Sequence, residues 1–210
     1  MKFIRTATAI ALVIASPAMA AEPFKAGDFM IRGRAVGVLP NEDADITGAV
    51  TGNSINIDNS YVPEVDFSYF VTDHIAFELI AAVTPHDVST STSSAGPLDL
   101  GDVWLLPPTL TAQYHFTDLG DWKPYVGAGI NYTHFFNSDA GASVTSASYD
   151  DSVGPVLQAG LDYALDDHWQ LNLDVKKVWI NTDVSFSNGA VAADVDIDPL
   201  LVGVGVGYRF

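Results

Sequence analysis

The chain has 210 residues, no cysteine, and 26 acids against nine lysines and arginines, a formal charge of −17 at neutral pH. Its length allows one large β domain or two small ones, and the missing thiols exclude a disulfide framework or a cysteine-ligated metal. The acidity excludes a nucleic-acid surface, which needs clustered bases to meet phosphates.

The first predicted element is a secretory leader over residues 1–20. Lys2 and Arg5 give a basic start, Ala7 to Ala15 an apolar run, and Ala18-Met19-Ala20 a small-residue cleavage site. The apolar run is too short to span a bilayer, and no other segment approaches the roughly 20 apolar residues a spanning helix needs. Cleavage after Ala20 leaves an exported domain of residues 21–210 and takes the formal charge from −17 to −19.

Beyond the leader the dominant period is two, as in Phe67-Ser68-Tyr69-Phe70-Val71 and Trp169-Gln170-Leu171-Asn172-Leu173-Asp174-Val175. Strict alternation marks strands with two different faces. Eight strands are expected, near 28–37, 61–71, 74–84, 108–116, 123–133, 153–165, 168–180 and 199–210. The connections at Thr72-Asp73, Thr117 to Trp122 and Asp166-Asp167 are short and rich in turn residues. Those near 38–60, 85–107, 134–152 and 181–198 are long, and they are expected to be loops. Short and long alternate, so every long connection falls on one side of an up-and-down sheet. Bacterial outer-membrane barrels sort their connections this way, with short periplasmic turns and long outer loops. The expected fold is all-β: an eight-stranded antiparallel up-and-down transmembrane β-barrel with both termini periplasmic.

The two faces agree with that fold. One carries Phe29, Phe67, Leu79, Ile130, Leu161, Leu173 and Val204, with their apolar neighbours at period two. The other carries Arg32, Arg34, Glu64, Asp66, Glu78, Asp162, Asp174, Lys176 and Arg209, among glycines such as Gly127, Gly203 and Gly207. Enclosed charges are tolerated only when paired or wet, so these nine residues are expected to form a charge network in a narrow lumen. A soluble barrel of eight strands is instead apolar inside, which would bury the charges and expose rows of Phe, Leu and Val. Tyr114, Phe116, Trp122, Tyr163, Trp169, Tyr208 and Phe210 gather at short-turn strand ends, and Tyr61, Tyr132 and Trp179 at the other ends. Two aromatic rings suit two membrane interfaces. Lys177 falls on the lipid face and calls for snorkelling or a β-bulge.

The stretches Leu106–Phe116, Lys123–Phe136, Ala159–Val175 and the terminal Val204-Gly205-Val206-Gly207-Tyr208-Arg209-Phe210 resemble the OmpW family in order and spacing, as does Gly27 to Val38. The resemblance covers essentially the whole mature chain. It implies an outer-membrane barrel whose lumen is apolar toward the outer side, in a family associated with uptake of small hydrophobic molecules and, in some members, with bacteriocin reception. Two departures stand near the outer mouth. Trp104-Leu105-Leu106 occurs where a histidine often precedes Leu-Pro-Pro, and Asp151-Ser152-Val153-Gly154 where Asp-Ser-Trp-Gly is frequent. The last residue, Phe210, with Tyr208, resembles the terminal signal recognised by the outer-membrane assembly machinery.

No catalytic pattern accompanies the barrel. The histidines at 74, 86, 115, 134 and 168 are scattered without metal-ligand spacing, and no nucleophile motif frames the loop serines. No metal or other cofactor is expected. Asp194, Asp196 and Asp198 alternate like a strand and lack the glycine and glutamate of an EF-hand loop. The long connections carry fourteen acids and no lysine or arginine, a field that gathers cations at the mouth. Two functions are therefore weighed. The first is a channel for small hydrophobic solutes, with an apolar pocket at Val62, Leu105, Leu106 and Val153 and a lateral exit into the membrane. The second is a plugged membrane anchor whose acidic loops act as adhesin or as bacteriocin or phage receptor. Outer-membrane lipid, lipopolysaccharide and the assembly machinery are the expected partners in either case.

Overall fold

The computed structural model describes residues 21–41, 43–48, 54–92, 96–140, 145–186 and 191–210. The predicted leader at 1–20 lies outside them. Fifteen strands follow in chain order: β1 (Phe29–Leu39), β2 (Asp43–Gly48), β3 (Ser54–Ile57), β4 (Ser60–Phe70), β5 (Ile75–Ala82), β6 (Thr84–Thr92), β7 (Gly96–Leu106) and β8 (Thr109–His115). They continue with β9 (Trp122–Ala140), β10 (Ala147–Tyr149), β11 (Ser152–Ala164), β12 (Trp169–Val178), β13 (Asn181–Phe186), β14 (Val191–Asp196) and β15 (Leu200–Arg209).

Eight of these, β1, β4, β5, β8, β9, β11, β12 and β15, form one antiparallel ring. The β1–β15 and β9–β11 pairings join its ends, so the barrel is closed. All eight strands were legible as alternating segments, and the outward side chains of Phe67, Leu79, Ile130, Leu173 and Val204 make the apolar belt. Closure pairs each strand of the ring with a neighbour on both sides, which is what permits strands to span a bilayer. Aromatic pairs mark the short-turn rim, where the Trp122 and Tyr163 rings lie 4.7 Å apart and those of Trp169 and Tyr208 5.0 Å apart. The turns there are tied by side chains: Asp166 Oδ1 accepts from the His168 and Trp169 amides at 2.8 and 2.7 Å.

The long connections are not loops, contrary to expectation. β2, β3, β6, β7, β10, β13 and β14 continue the wall outward, and β9 runs on to Ala140 to pair with β7. Their Ser-, Thr- and Asp-rich sequences obscure the period, although inward residues such as Val88, Val103, Val184 and Val195 are apolar. The pairing of β2 with β14 joins segments far apart in sequence and leaves no local signal.

Lys177 keeps its place on the outer face. The β11–β12 and β12–β15 registers run through it without a bulge. Its Nζ reaches the Asp198 carbonyl and lies 5.9 Å from the Trp179 ring centre, so the ammonium snorkels to the outer rim. Gly207 makes room for the Arg32 stem, which would stand 3.1 Å from an added Cβ. At Gly205 an added Cβ would instead meet the Gly33 carbonyl at 2.1 Å, so close strand approach sets that glycine.

Candidate functional site: an apolar cup on a charged layer

Along each strand the inward positions change character on the way out. Arg32 and Arg34 give way to Val36 and Val38, Glu64 to Val62, Glu78 to Ile80, and Asp174 and Lys176 to Val178 and Ile180. Closing the barrel stacks these series into layers.

The middle layer is ionic and buried. Arg32 makes a side-on fork to Asp162, Nε to Oδ1 at 3.2 Å and Nη2 to Oδ2 at 2.8 Å, and reaches Asp66 at 3.1 Å and Glu78 at 3.3 Å. Arg34 meets Glu64 at 2.9 Å, Asp66 at 3.1 Å and Glu78 at 2.9 Å. Lys176 Nζ lies 2.6 Å from Glu64 and 3.3 Å from Asp174. Neutral donors add to the carboxylate shells: Tyr125 donates to Asp174 at 2.6 Å, and Gln158 donates to Glu78 and Asp174 at 2.9 and 2.8 Å. Geometry of this quality is what lets buried charges offset their lost hydration. Arg209 stands apart at the short-turn rim, 3.5 Å from Asp28 and bonded to three carbonyls, so it belongs to the periplasmic end and not to the central network.

Above the ionic layer lies a partly enclosed apolar cup, with about 1020 Å³ of space free of protein atoms, open solvent included. Val36, Val62, Ile80, Leu105, Phe135 and Val178 are among its walls, and Glu64 and Lys176 reach its floor. Two of the four residues expected to form such a pocket, Val62 and Leu105, are therefore in it. The other two are corrected: Leu106 is 38% and Val153 71% exposed on the outer surface. Leu106 follows an inward Leu105, and Val153 shares its parity with the lipid-facing Leu157. Phe135, Ile180, Val195 and Ile197 were missed: Phe135 lies in a connection expected to be a loop, Ile180 closes an expected strand, and Val195 and Ile197 alternate with Asp194, Asp196 and Asp198 in a strand-like stretch read for its acids; Val36 and Val38, in step with Arg32 and Arg34, were readable.

Two titratable groups sit in the cup wall beyond the membrane-spanning part. Burial pushes the Tyr149 phenol up to about 12, with Asp102 adding to the effect, so it is neutral. Burial lowers the His86 imidazole below its ordinary value, against the Asp58 carbonyl at 3.4 Å and the nearby Asp87, which favour the charged form. The folded cup thus binds fewer protons at His86 than the unfolded chain. The resulting penalty is absent above the ordinary histidine pKa of about 6.5 and grows as pH falls through it toward the lowered value. Stability of the folded barrel should accordingly fall as pH drops below about 6.5, and His86→Leu should flatten that part of the urea-unfolding profile; an unchanged slope in the variant would assign the effect elsewhere.

The wall is not uniformly sealed. The β4–β5 ladder ends at Glu64↔Ala82 and the β3–β6 ladder begins at Ile57↔Val88. Among the described residues no ladder pair joins Ser60–Pro63 to Val83–Asp87, and Pro63 and Pro85 lack the amide to make one. The junction of β9 with β11 is instead clamped. Asp151 accepts from the Tyr132 hydroxyl at 2.5 Å and the Phe135 amide at 3.3 Å, and lies 2.8 Å from His134 Nδ1. Those hydrogen bonds hold the Asp151 carboxyl below its ordinary range, Tyr132 contributing most.

A closed eight-stranded ring with an apolar belt, two aromatic rims and charges inside defines a β-barrel protein of the Gram-negative outer membrane. The model of the OmpW family matches residues 25–210, and the chain belongs to that family. It is 44% identical over 185 residues to the uncharacterized outer-membrane protein y4mB of Sinorhizobium fredii, covering 87% of this chain and 80% of that one. Outer membrane protein W of Vibrio cholerae is 37% identical over 195 residues, covering 88% and 89%. The dibenzothiophene metabolism operon protein PahQ of Pseudomonas aeruginosa is 30% identical over 163 residues, 77% of each chain. The crystal structure of the outer membrane protein OprG from Pseudomonas aeruginosa superposes with a TM-score of 0.83 at 32% identity, covering 90% of this chain and 99% of that one.

Proposed function

We propose that the protein carries small hydrophobic solutes from the cell surface into the outer membrane. The observation that carries this reading is the apolar cup seated on a buried ionic layer. A solute entering from outside gains roughly 25 cal/mol for each Å² of apolar surface it buries in the cup. Onward passage would force it through paired charges that leave no dry path, so its way out is sideways. The unladdered interval between Ser60–Pro63 and Val83–Asp87 borders the cup through Val62, Thr84 and His86, and it is our assignment for the lateral exit. A relative named for dibenzothiophene metabolism fits an apolar aromatic cargo. A plugged receptor has no need of an apolar cup, which favours the channel reading over the anchor.

Extending the Glu64↔Ala82 register by one residue sets Pro63 opposite Val83, and the chain has no other cysteine to interfere. A cysteine pair at 63 and 83 should oxidise across the gap. Liposome uptake of apolar compounds should stop in the oxidised form and return with reductant. Undiminished uptake with the bridge formed would move the exit to another seam.

A further inference from the structure

The segment from Ala21 to Asp28 crosses the short-turn mouth of the barrel and is held from several sides. The Phe24 side chain is buried, stacked on Phe70 at 4.3 Å and edge-on to His115 at 5.3 Å. Lys123 Nζ and the Arg209 guanidinium lie 5.1 and 5.6 Å from its ring centre. The same two cations donate to the Glu22 carbonyl at 2.9 and 3.1 Å, and Arg209 also to the Pro23 carbonyl at 3.0 Å. The Glu22 amide donates to Asp167 at 3.0 Å and the Ala26 amide to Asp73 at 2.9 Å, so the turns after β11 and β4 both grip the segment. Gly27, at φ +98°, turns the chain into β1 while its amide bonds the Phe70 carbonyl at 2.8 Å. The first nitrogen of the segment, Ala21 N, donates to Asp121 Oδ1 at 2.9 Å in a half-buried setting.

In the full chain that nitrogen is a peptide N–H. Hydrolysis of the Ala20–Ala21 bond adds water across it, leaving a carboxylate on Ala20 and an α-amine on Ala21, protonated at neutral pH. We propose that the Asp121 carboxylate is a docking site for the α-ammonium of the processed chain, and that leader removal thereby locks Ala21–Asp28 in place as a periplasmic stopper. The amide contact becomes a charge-assisted hydrogen bond, which is shorter and stronger than a neutral one. The stopper sits below the ionic layer, and Phe24 covers the His115 and Phe70 end of the lumen. An unprocessed chain offers Asp121 only an amide, so firm closure belongs to the mature protein.

The test uses processed protein extracted from outer membranes, with its N-terminus read by mass spectrometry. The rate at which an amine-acylating reagent modifies Ala21 N is followed against pH. Pairing with a carboxylate stabilises the unreactive ammonium, so near neutral pH the parent should react roughly three- to tenfold more slowly than Asp121→Asn, with its pH midpoint displaced upward. Heat-modifiable gel mobility verifies that the variant is folded. If it is not, a second variant with one glycine inserted ahead of Ala21 moves the ammonium away from Asp121 and should react at the rate of an unpaired α-amine. Equal rates and midpoints in parent and variant, a glycine-extended chain as slow as the parent, or a mature N-terminus other than Ala21 would each overturn the proposal.

Discussion

Leu105→Asp should lower uptake of apolar solutes by at least tenfold while the barrel still forms. Leu105 is buried in the cup wall, on an inward parity shared with Val103. Removing its contacts with a bound solute forfeits up to about 1.5–3 kcal/mol, the value of one buried Leu side chain. A carboxylate in its place also recruits water that the solute must displace. At about 1.4 kcal/mol per tenfold in affinity, the loss reaches one to two orders of magnitude. Val153→Asp is the matched control, since its side chain is on the outer surface near the rim and polar substitutions at that depth cost about 0–1 kcal/mol. Liposome uptake, with folding verified by heat-modifiable mobility, reads both variants. Equal uptake by Leu105→Asp and the parent would remove the cup from the transport route.

The second large effect is on stability. Arg32→Ala should destabilise the folded barrel by about 3–5 kcal/mol, the usual consequence of removing one partner from a buried ion pair. Arg32 is fully buried and touches Asp66, Glu78 and Asp162. Its loss removes both guanidinium contacts of Asp162 and leaves that carboxylate only the Asn172 amide at 2.8 Å, while Arg34 remains to serve Asp66 and Glu78. Urea-induced unfolding in lipid bilayers measures the shift. Arg32→Lys keeps the charge but not the planar fork, and should fall between parent and Arg32→Ala. Lys25→Ala, in the exposed Lys25–Glu22 pair, should leave the midpoint where it was. An Arg32→Ala barrel as stable as the parent would mean that water enters the layer and screens its acids.

Period-two alternation was enough to find the eight barrel strands, because lipid on one side and charge on the other give opposite demands at adjacent residues. It was also enough to identify the residues of the ionic layer, since Arg32, Arg34, Glu64, Asp66, Glu78, Asp162, Asp174 and Lys176 all fall on the face opposite Phe67, Leu79 and Leu173. Which acid meets which base was not readable. Arg32 and Asp162 are 130 residues apart and meet across the lumen, a contact that exists only once β1 and β11 belong to one closed ring.

The cup was legible only in part. Val62 and Leu105 were found as apolar residues near the long connections, but Leu106 and Val153 were placed with them by proximity in sequence, and strand parity turns both outward. β2, β3, β6, β7, β10, β13 and β14 are rich in serine, threonine and aspartate, and several of their pairings, such as β2 with β14, join distant connections. Their sequences look like loops because the outward face meets water, so only half of each strand is under selection for burial. The sequence by itself thus determined the membrane-spanning ring, its two faces and the charges inside it, through a local pattern that each strand carries alone. The tertiary structure decided the outward extension of the wall, the cup, the unladdered seam and the seat of Ala21. Each of these is made of residues from strands remote in sequence, and no local pattern specifies which strands will meet.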